Sequence, residues 1–172
     1  RLKYKKEYLL HPIRSAKLYS TPEGRNLREG DFVIGDAYRQ HGKLRFERQE
    51  KPKVSIVIPV YNQIRYTYAC LVSIWENTKD VSYEILIADD VSTDGTERLG
   101  DFAEGLVICR NKENQGFLKN CNQAAGKARG EYIMFLNNDT QVTAGWLSSL
   151  VGLIESDASI GMVGSKLVYP DG

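Results

Sequence analysis

From Lys53 onward the chain alternates between two hydrophobic periods. Val54-Ser55-Ile56-Val57-Ile58-Pro59 is a β-branched run closed by proline, the pattern of a central strand. Ile64, Tyr68, Leu71 and Trp75 follow at spacings of four, three and four, which predicts one face of an amphipathic helix. Tyr83-Glu84-Ile85-Leu86-Ile87-Ala88 predicts a second strand, ending at Asp89-Asp90. Asp94, with Glu97 three residues on, predicts an N-cap pair for a second helix. Leu106-Val107-Ile108-Cys109 predicts a third strand. Phe117, Cys121, Ala124 and Ala128 predict the inner face of a third helix, stopped at Gly130.

Tyr132-Ile133-Met134-Phe135-Leu136 is then an apolar run that ends abruptly at Asn137-Asn138-Asp139, read as a buried strand with a polar end. A further helix is expected from Trp146 to Ser156, and short strands over Ile160–Gly164 and Lys166–Tyr169. Strand-helix alternation of this kind predicts βαβ units and an α/β fold with a mostly parallel central sheet, helices covering both faces.

The first fifty residues show no long period. A helix is expected before Pro12, a turn at Thr21-Pro22-Glu23-Gly24 and a short strand over Asp31–Gly35. Charge separates the same two regions. Residues 1–53 hold 14 Lys+Arg and 7 Asp+Glu, and residues 54–172 hold 9 and 15, so +7 and −6 sum to the overall +1. The expected organisation is a basic extension or linker over residues 1–52 and an acidic domain over 53–172. The basic, tyrosine-bearing segment suits a solvated helical linker, an anionic membrane surface or contact with another part of the parent protein.

No apolar run approaches the roughly 20 residues of a membrane span. The N-terminus lacks the features of a signal peptide, and it opens on Arg1, so a piece of a longer protein is expected. Cys70, Cys109 and Cys121 have no metal-ligand spacing and are expected as buried free thiols in a reducing cytosol.

In open α/β sheets, ligands bind at the carboxyl ends of the strands. The unusual residues gather there: Pro59, Val60, Tyr61 and Asn62; Asp89 and Asp90; Asn114 and Gly116, with Asn122 on the helix behind; and Asn137, Asn138 and Asp139. A carboxylate at Asp89-Asp90 can accept the imide N–H of uracil or thymine, or it can cap the following turn. Tyr61 can pack on a base or staple its helix. Asn114-Gln115-Gly116 reads as a ligand-approaching loop or as a plain turn. Asp139 reads as a loop residue, or as the carboxylate that holds Mg²⁺ together with a diphosphate. No P-loop and no Gly-rich dinucleotide fingerprint occurs.

Together these four segments, in this order and at these separations, resemble the nucleotide-binding half of a family 2 glycosyltransferase of the GT-A, Rossmann-like fold. The resemblance covers about residues 53–169. It implies that Pro59, Val60, Tyr61 and Asn62 line the nucleotide crevice. Asp90 would bind the base, with Asp89 nearby. Asn114, Gly116 and Asn122 would frame the ribose or sugar-phosphate side. Asn137-Asn138-Asp139 occupies the DXD position, with Asp139 as the ligand of Mg²⁺ or Mn²⁺. Two departures stand out: Asn137 replaces a carboxylate, and Val91 follows Asp90 where glycine is usual.

The implied function is inverting, metal-dependent transfer of a sugar from a UDP- or dTDP-sugar to a saccharide or glycoconjugate acceptor. The implied setting is bacterial surface polysaccharide synthesis, in the cytoplasm at the inner face of the membrane, with no nucleic acid as partner. This chain is then the donor-binding half, its domain incomplete at the C-terminus and its catalytic base beyond Gly172. The alternatives are a nucleotide-sugar-binding module without turnover and a nucleotidyltransferase. The missing Gly/Lys/Arg-rich loop after the first strand argues against the last.

Overall fold

The computed structural model describes Ile34, Tyr38 and residues 40–168. The helix expected before Pro12, the turn at Thr21–Gly24 and most of the basic extension lie outside the described residues. So does most of the strand expected over Asp31–Gly35. Its one described member, Ile34, is helical and buried in the core. Leu44, Phe46 and Ile34, all within the expected extension, pack on the same core as the domain that follows.

Four parallel strands form the centre. In chain order the described elements are β1 (Leu44–Arg45), β2 (Val54–Val60), α1 (Ile64–Asn77), β3 (Tyr83–Asp89), a 3₁₀ turn (Thr96–Arg98), α2 (Leu99–Phe102), β4 (Ala103–Glu104), β5 (Val107–Arg110), α3 (Gly116–Ala125), β6 (Tyr132–Phe135) and α4 (Trp146–Glu155). The main sheet runs β5-β3-β2-β6, and β1 pairs with β4 apart from it. The chain steps outward from β2 to β3 to β5, then returns to the other side of β2. That reversal opens a crevice beyond the carboxyl ends of β2 and β6.

Side-chain alternation divides the core in two. Ile56 and Ile58 of β2 and Ile85 and Ile87 of β3 face α1 and α4. Val57, Leu86, Ala88 and Cys109 face α3 through Ala124. Because β2 and β3 are covered on both faces, they read as apolar runs interrupted only by Ser55 and Glu84 near their starts and Asp89 at the end of β3, and they are almost completely buried.

The last strand differs from its reading as a buried strand. Tyr132 and Met134 pack towards α1, but Ile133 and Phe135 are 46% and 49% exposed. The reason is position. β6 is a sheet edge, and α3 packs over β2 and β3. The strands expected over Ile160–Gly164 and Lys166–Tyr169 are not formed in the described residues, and Tyr169 lies outside them. A strand needs a paired neighbour, and residues 161–168 have none among the described residues, where Met162, Leu167 and Val168 are exposed.

Two helix boundaries also move. Asp94 and Glu97 open only the 3₁₀ turn and the one-turn α2, Glu97 reaching back to the Gly95 N–H at 3.2 Å. α3 ends at Ala125, and its expected inner residue Phe117 is 65% exposed; the buried face is Asn120, Cys121 and Ala124. Gly130 does something other than stop a helix. A Cβ there would lie 2.5 Å from Ser55 N, so glycine is required for the chain to pass close to β2. All three cysteines are free and buried, as expected.

Candidate functional site

The carboxyl edge of the sheet brings the four expected clusters into one row. Val60, the last residue of β2, is joined to β3's exit by the Asp90 N–H, which donates to Val60 O at 2.9 Å. The loop after β2 is then stitched to the loop after β3. Asn62 N donates to Ser92 Oγ at 2.7 Å, and Thr93 N donates to Asn62 Oδ1 at 2.7 Å. Asp94 Oδ2 accepts from Ile64 N at 2.8 Å, so α1 is capped from the neighbouring loop. Its own N-cap, Gln63, lies at φ 66° and supplies no side-chain bond. Asn62 is thus spent on holding two loops together. Tyr61 projects from the same turn and is 60% exposed. Pro59 and Val60 are buried and can offer only backbone to the crevice.

Asp89 and Asp90 are adjacent but do separate work. Asp89 is 1% exposed. Its carboxylate accepts from Ser92 N at 2.9 Å and forms a close ion pair with Arg110, whose other nitrogen donates to Ser92 O at 2.8 Å. Asp89 therefore locks the β3 turn to β5. Asp90 turns the other way. Oδ1 accepts from Gln115 N at 2.8 Å and Asn111 Nδ2 at 2.9 Å, and Oδ2 accepts from Gly116 N at 2.9 Å. Burial pushes this carboxyl up, but the bonds from Gln115, Asn111 and Gly116 outweigh it and hold the group below the usual carboxylate range.

Gly116 is at φ 72°, which lets its N–H reach Asp90 at the start of α3. Asn114 is exposed, and its Oδ1 accepts from Gly116 N at 3.1 Å. Asn122 is exposed too, on the far side of α3 from the residues that touch the strands. The amide that does reach inward is Asn120, which is 3% exposed. Its Nδ2 donates to Ala88 O at 2.6 Å, and its Oδ1 accepts from Asn111 Nδ2 at 2.9 Å. Neither Asn120 nor Asn111 stood out in the sequence. A signal existed for Asn120: it shares the Cys121/Ala124 face, so it is an amide on an apolar stripe. A shallow depression of about 440 Å³ lies beside the same loop, lined by Asn111, Lys112, Glu113, Gln115 and Gln123.

The turn carrying Val91 holds a β-branched residue at φ 65°. That conformation costs an L-residue about 1–2 kcal/mol. Glycine would relieve it, and would give back about 0.5–1 kcal/mol through the freer unfolded chain. Val91→Gly should therefore stabilise the fold by about 0.5–1 kcal/mol, raising Tm by roughly 2–4 °C in thermal melts. An unchanged or lower Tm would show that the turn is relaxed around valine.

Beyond β6, Leu136 N donates to Val57 O at 3.0 Å, so the next residues emerge beside β2's exit. Asn137 O accepts from Cys70 Sγ at 3.8 Å, and Asn138 Nδ2 donates to Thr67 Oγ1 at 3.0 Å. Those contacts fix the segment against α1. Asp139 is exposed and makes no hydrogen bond or ion pair among the described residues. Burial, with a contribution from the Asp139 charge, pushes the Cys70 thiol up to about 12. The same two influences raise the Tyr66 phenol, against Arg65. No group of three His, Cys, Asp or Glu side chains able to hold a metal occurs among the described residues. The donor set is one exposed carboxylate with amide neighbours. It fits a hard cation that shares its shell with a diphosphate, and does not fit an all-protein metal cage.

The chain's similarities agree with this architecture. The model of Glycosyl transferase family 2 matches residues 55–172. Glycosyltransferase AglE of Haloferax volcanii is 32% identical over 128 residues, covering 70% of this chain and 42% of AglE. The putative teichuronic acid biosynthesis glycosyltransferase TuaG of Bacillus subtilis is 29% identical over 127 residues, 71% of this chain and 50% of TuaG. The chain thus spans half or less of the length of these relatives. Among solved structures, S. aureus TarS 1-349 in complex with UDP-GlcNAc superposes with a TM-score of 0.55 at 23% identity, over 67% of this chain and 37% of TarS 1-349. The mannosyltransferase PcManGT of Pyrobaculum calidifontis, in complex with GDP-Man and Mn2+, gives 0.54 at 22% identity, over 90% and 44%. These likenesses carry the fold, which is that of the GT-A glycosyltransferases. A sheet of this order, and a family match over more than half the chain, lead to one assignment: the chain belongs to glycosyl transferase family 2.

Proposed function

We propose that this chain is the donor-binding half of an inverting, metal-dependent glycosyltransferase that uses a UDP- or dTDP-sugar. One observation carries the reading. Exposed Tyr61, the loop-bound carboxylate of Asp90 and the exposed carboxylate of Asp139 lie along one edge of the sheet, at its topological switch point. Asp90 supplies the acceptor for the imide N–H of the base. Tyr61, with the backbone of Pro59 and Val60, forms the wall beside it, and Asn62 and Asp89 hold that wall in place. Asn114, Gly116 and Asn122 frame the ribose and phosphate side. Asn137, Asn138 and Asp139 face the diphosphate, and Asp139 would hold Mg²⁺ or Mn²⁺. A divalent cation there supplies charge neutralisation for the departing nucleoside diphosphate.

In the transfer, the acceptor hydroxyl oxygen bonds to the anomeric carbon on the face opposite the diphosphate. The bond from that carbon to the diphosphate oxygen breaks, its electron pair leaving with the nucleotide. The hydroxyl proton goes to a carboxylate base. That base is expected in the part of family members that follows the matched segment. Asp90 is engaged by three donors, and Asp139 is assigned to the cation. The acceptor is a saccharide or glycoconjugate, and polysaccharide assembly at the inner face of the membrane is the setting. No described helix is long and apolar enough to cross a membrane.

Asn137 favours a second reading, a binding module without turnover, because it removes one carboxylate from the cation's side. Calorimetric titration with UDP, dTDP and GDP, with and without Mn²⁺, tests both. Manganese should tighten nucleoside diphosphate binding, and Asp139→Ala should erase that gain, a loss of roughly tenfold or more. Asp139 is exposed, so the variant should fold and bind uridine as before. Binding that ignores manganese would remove Asp139 from the metal role. Manganese-dependent binding without donor hydrolysis by the longer protein would select the module.

A further inference from the structure

We propose that Asn120 and Asn111 are specificity-determining positioning residues, which leave Asp90 a single open acceptor site and so select a base with one ring N–H over guanine. The proposal rests on the base-reading role of Asp90 given above.

The lone pairs of Asp90 set the selectivity. An ionised carboxylate offers about four acceptor sites, two on each oxygen. On Asp90, Oδ1 takes Gln115 N and Asn111 Nδ2, and Oδ2 takes Gly116 N. Oδ1 is therefore full, and one site remains, on Oδ2. Uracil and thymine present one ring N–H flanked by two carbonyl oxygens, which matches a single site. Guanine presents a ring N–H beside an exocyclic NH₂. That two-donor edge pairs best with a carboxylate whose two oxygens are both open.

Asn111 alone cannot keep Oδ1 closed. It is only half-buried, and its amide could turn. What holds it is Asn120. The Asn111 NH₂ divides its two protons between Asp90 Oδ1 and Asn120 Oδ1, each at 2.9 Å. Asn120 is in turn clamped by its own NH₂ on Ala88 O at 2.6 Å, at the end of β3. The relay is thus strand, helix amide, loop amide, carboxylate. The titratable groups on the surrounding elements are Asp90 itself, the Asp89–Arg110 pair, the buried thiols Cys109 on β5 and Cys121 on α3, and the exposed Lys112, Glu113 and Lys119 of the loop and α3. β2 contributes only Pro59 and Val60 at this end.

The test is a ratio of affinities, UDP against GDP, for the wild type, Asn111→Ala and Asn120→Asp, each shown by melting to be folded at the working temperature. The wild type should prefer UDP. Asn111→Ala should compress that preference by roughly tenfold, the worth of one bond to a charged group, with GDP affinity held or improved. Asn120→Asp should behave as a pH switch. Protonated, the new carboxyl still donates to Ala88 O and accepts from Asn111. Ionised, it repels Ala88 O, and the relay breaks. Its UDP/GDP ratio should match the wild type at pH 5 and fall as pH rises, while the wild-type ratio stays level. A role limited to holding the fold would weaken both nucleotides together and leave every ratio unchanged, which overturns the proposal. A wild type that binds neither nucleotide overturns the base-reading site as well, so the two failures are told apart.

Discussion

Asp90→Ala should cost about 3 kcal/mol of stability and lower Tm by roughly 10 °C, and it should also weaken uridine binding at least tenfold. The two losses have one cause. The carboxylate gathers Gln115 N, Gly116 N and Asn111 Nδ2 onto a buried point between β3 and α3. Each donor left without an acceptor costs about 1–3 kcal/mol, and water entering from the crevice recovers part of that. Asp90→Asn separates the effects. Its remaining oxygen can serve Gln115 and Asn111, but its NH₂ then faces Gly116 N, so about half of the stability loss should remain. The Oδ2 site that would receive the base becomes a donor, so uridine affinity should fall as far as in the alanine variant. Chemical denaturation and uridine titration at a temperature where all three proteins are folded supply the comparison. Full uridine affinity in folded Asp90→Asn would limit Asp90 to loop anchoring.

The strands and most helices were legible because buried parallel strands and amphipathic helices leave strong periodic marks. Val54–Val60 and Tyr83–Asp89 are covered on both faces, and the apolar stretches Ile56–Val60 and Ile85–Ala88 say so. The same logic misjudged Tyr132–Phe135. Coverage of an apolar strand depends on where the neighbouring helix lands, and α3 lands on β2 and β3. At the site, the strand-end location was legible, while the division of labour was not. Asp89 and Asp90 are chemically identical in the sequence. Only the direction in which each leaves β3 sends one to Arg110 and the other to Gly116. The inward position of Asn120, against the outward one of Asn122, was hidden for a related reason. Two residues along a helix are separated by roughly 200°, so one faces the strands and the other faces solvent. Val91 stands where glycine is usual, and its φ of 65° shows why glycine suits that turn.

Glu84→Ala is expected to destabilise the fold by about 2–4 kcal/mol while leaving uridine affinity unchanged. Glu84 lies near the start of β3, at the opposite end of the sheet from the crevice, and is 5% exposed. Its Oε1 accepts from Ser55 Oγ and Arg129 N, both at 2.7 Å, and its Oε2 accepts from Arg129 Nε at 2.9 Å and Nη2 at 2.7 Å. Ser55 Oγ also accepts from Gly130 N at 2.8 Å, so one carboxylate ties β2, β3 and the entry to β6. Removing one member of a buried pair costs about 3–5 kcal/mol, and the half-exposed Arg129 side chain can rehydrate, which lowers the figure. Burial pushes the Glu84 carboxyl up, but the bonds from Ser55 and Arg129 outweigh it, so its folded pKa lies below the ordinary value. A depressed carboxyl stabilises the fold fully above its unfolded pKa of about 4.3 and loses that contribution as pH falls through the lower folded value. Asp90 acts in the same direction. Stability should therefore fall below about pH 4.3, with each group contributing at most about 1.4 kcal/mol per pH unit. Glu84→Gln should flatten part of that acid limb, and denaturant melts from pH 3 to 7 will read it. An acid limb as steep as that of the wild type would assign the acid sensitivity to other carboxyls. Loss of uridine affinity in folded Glu84→Ala would show that the two ends of the sheet are coupled, against separate roles for the carboxylate that holds the strands together and the one proposed to read the base.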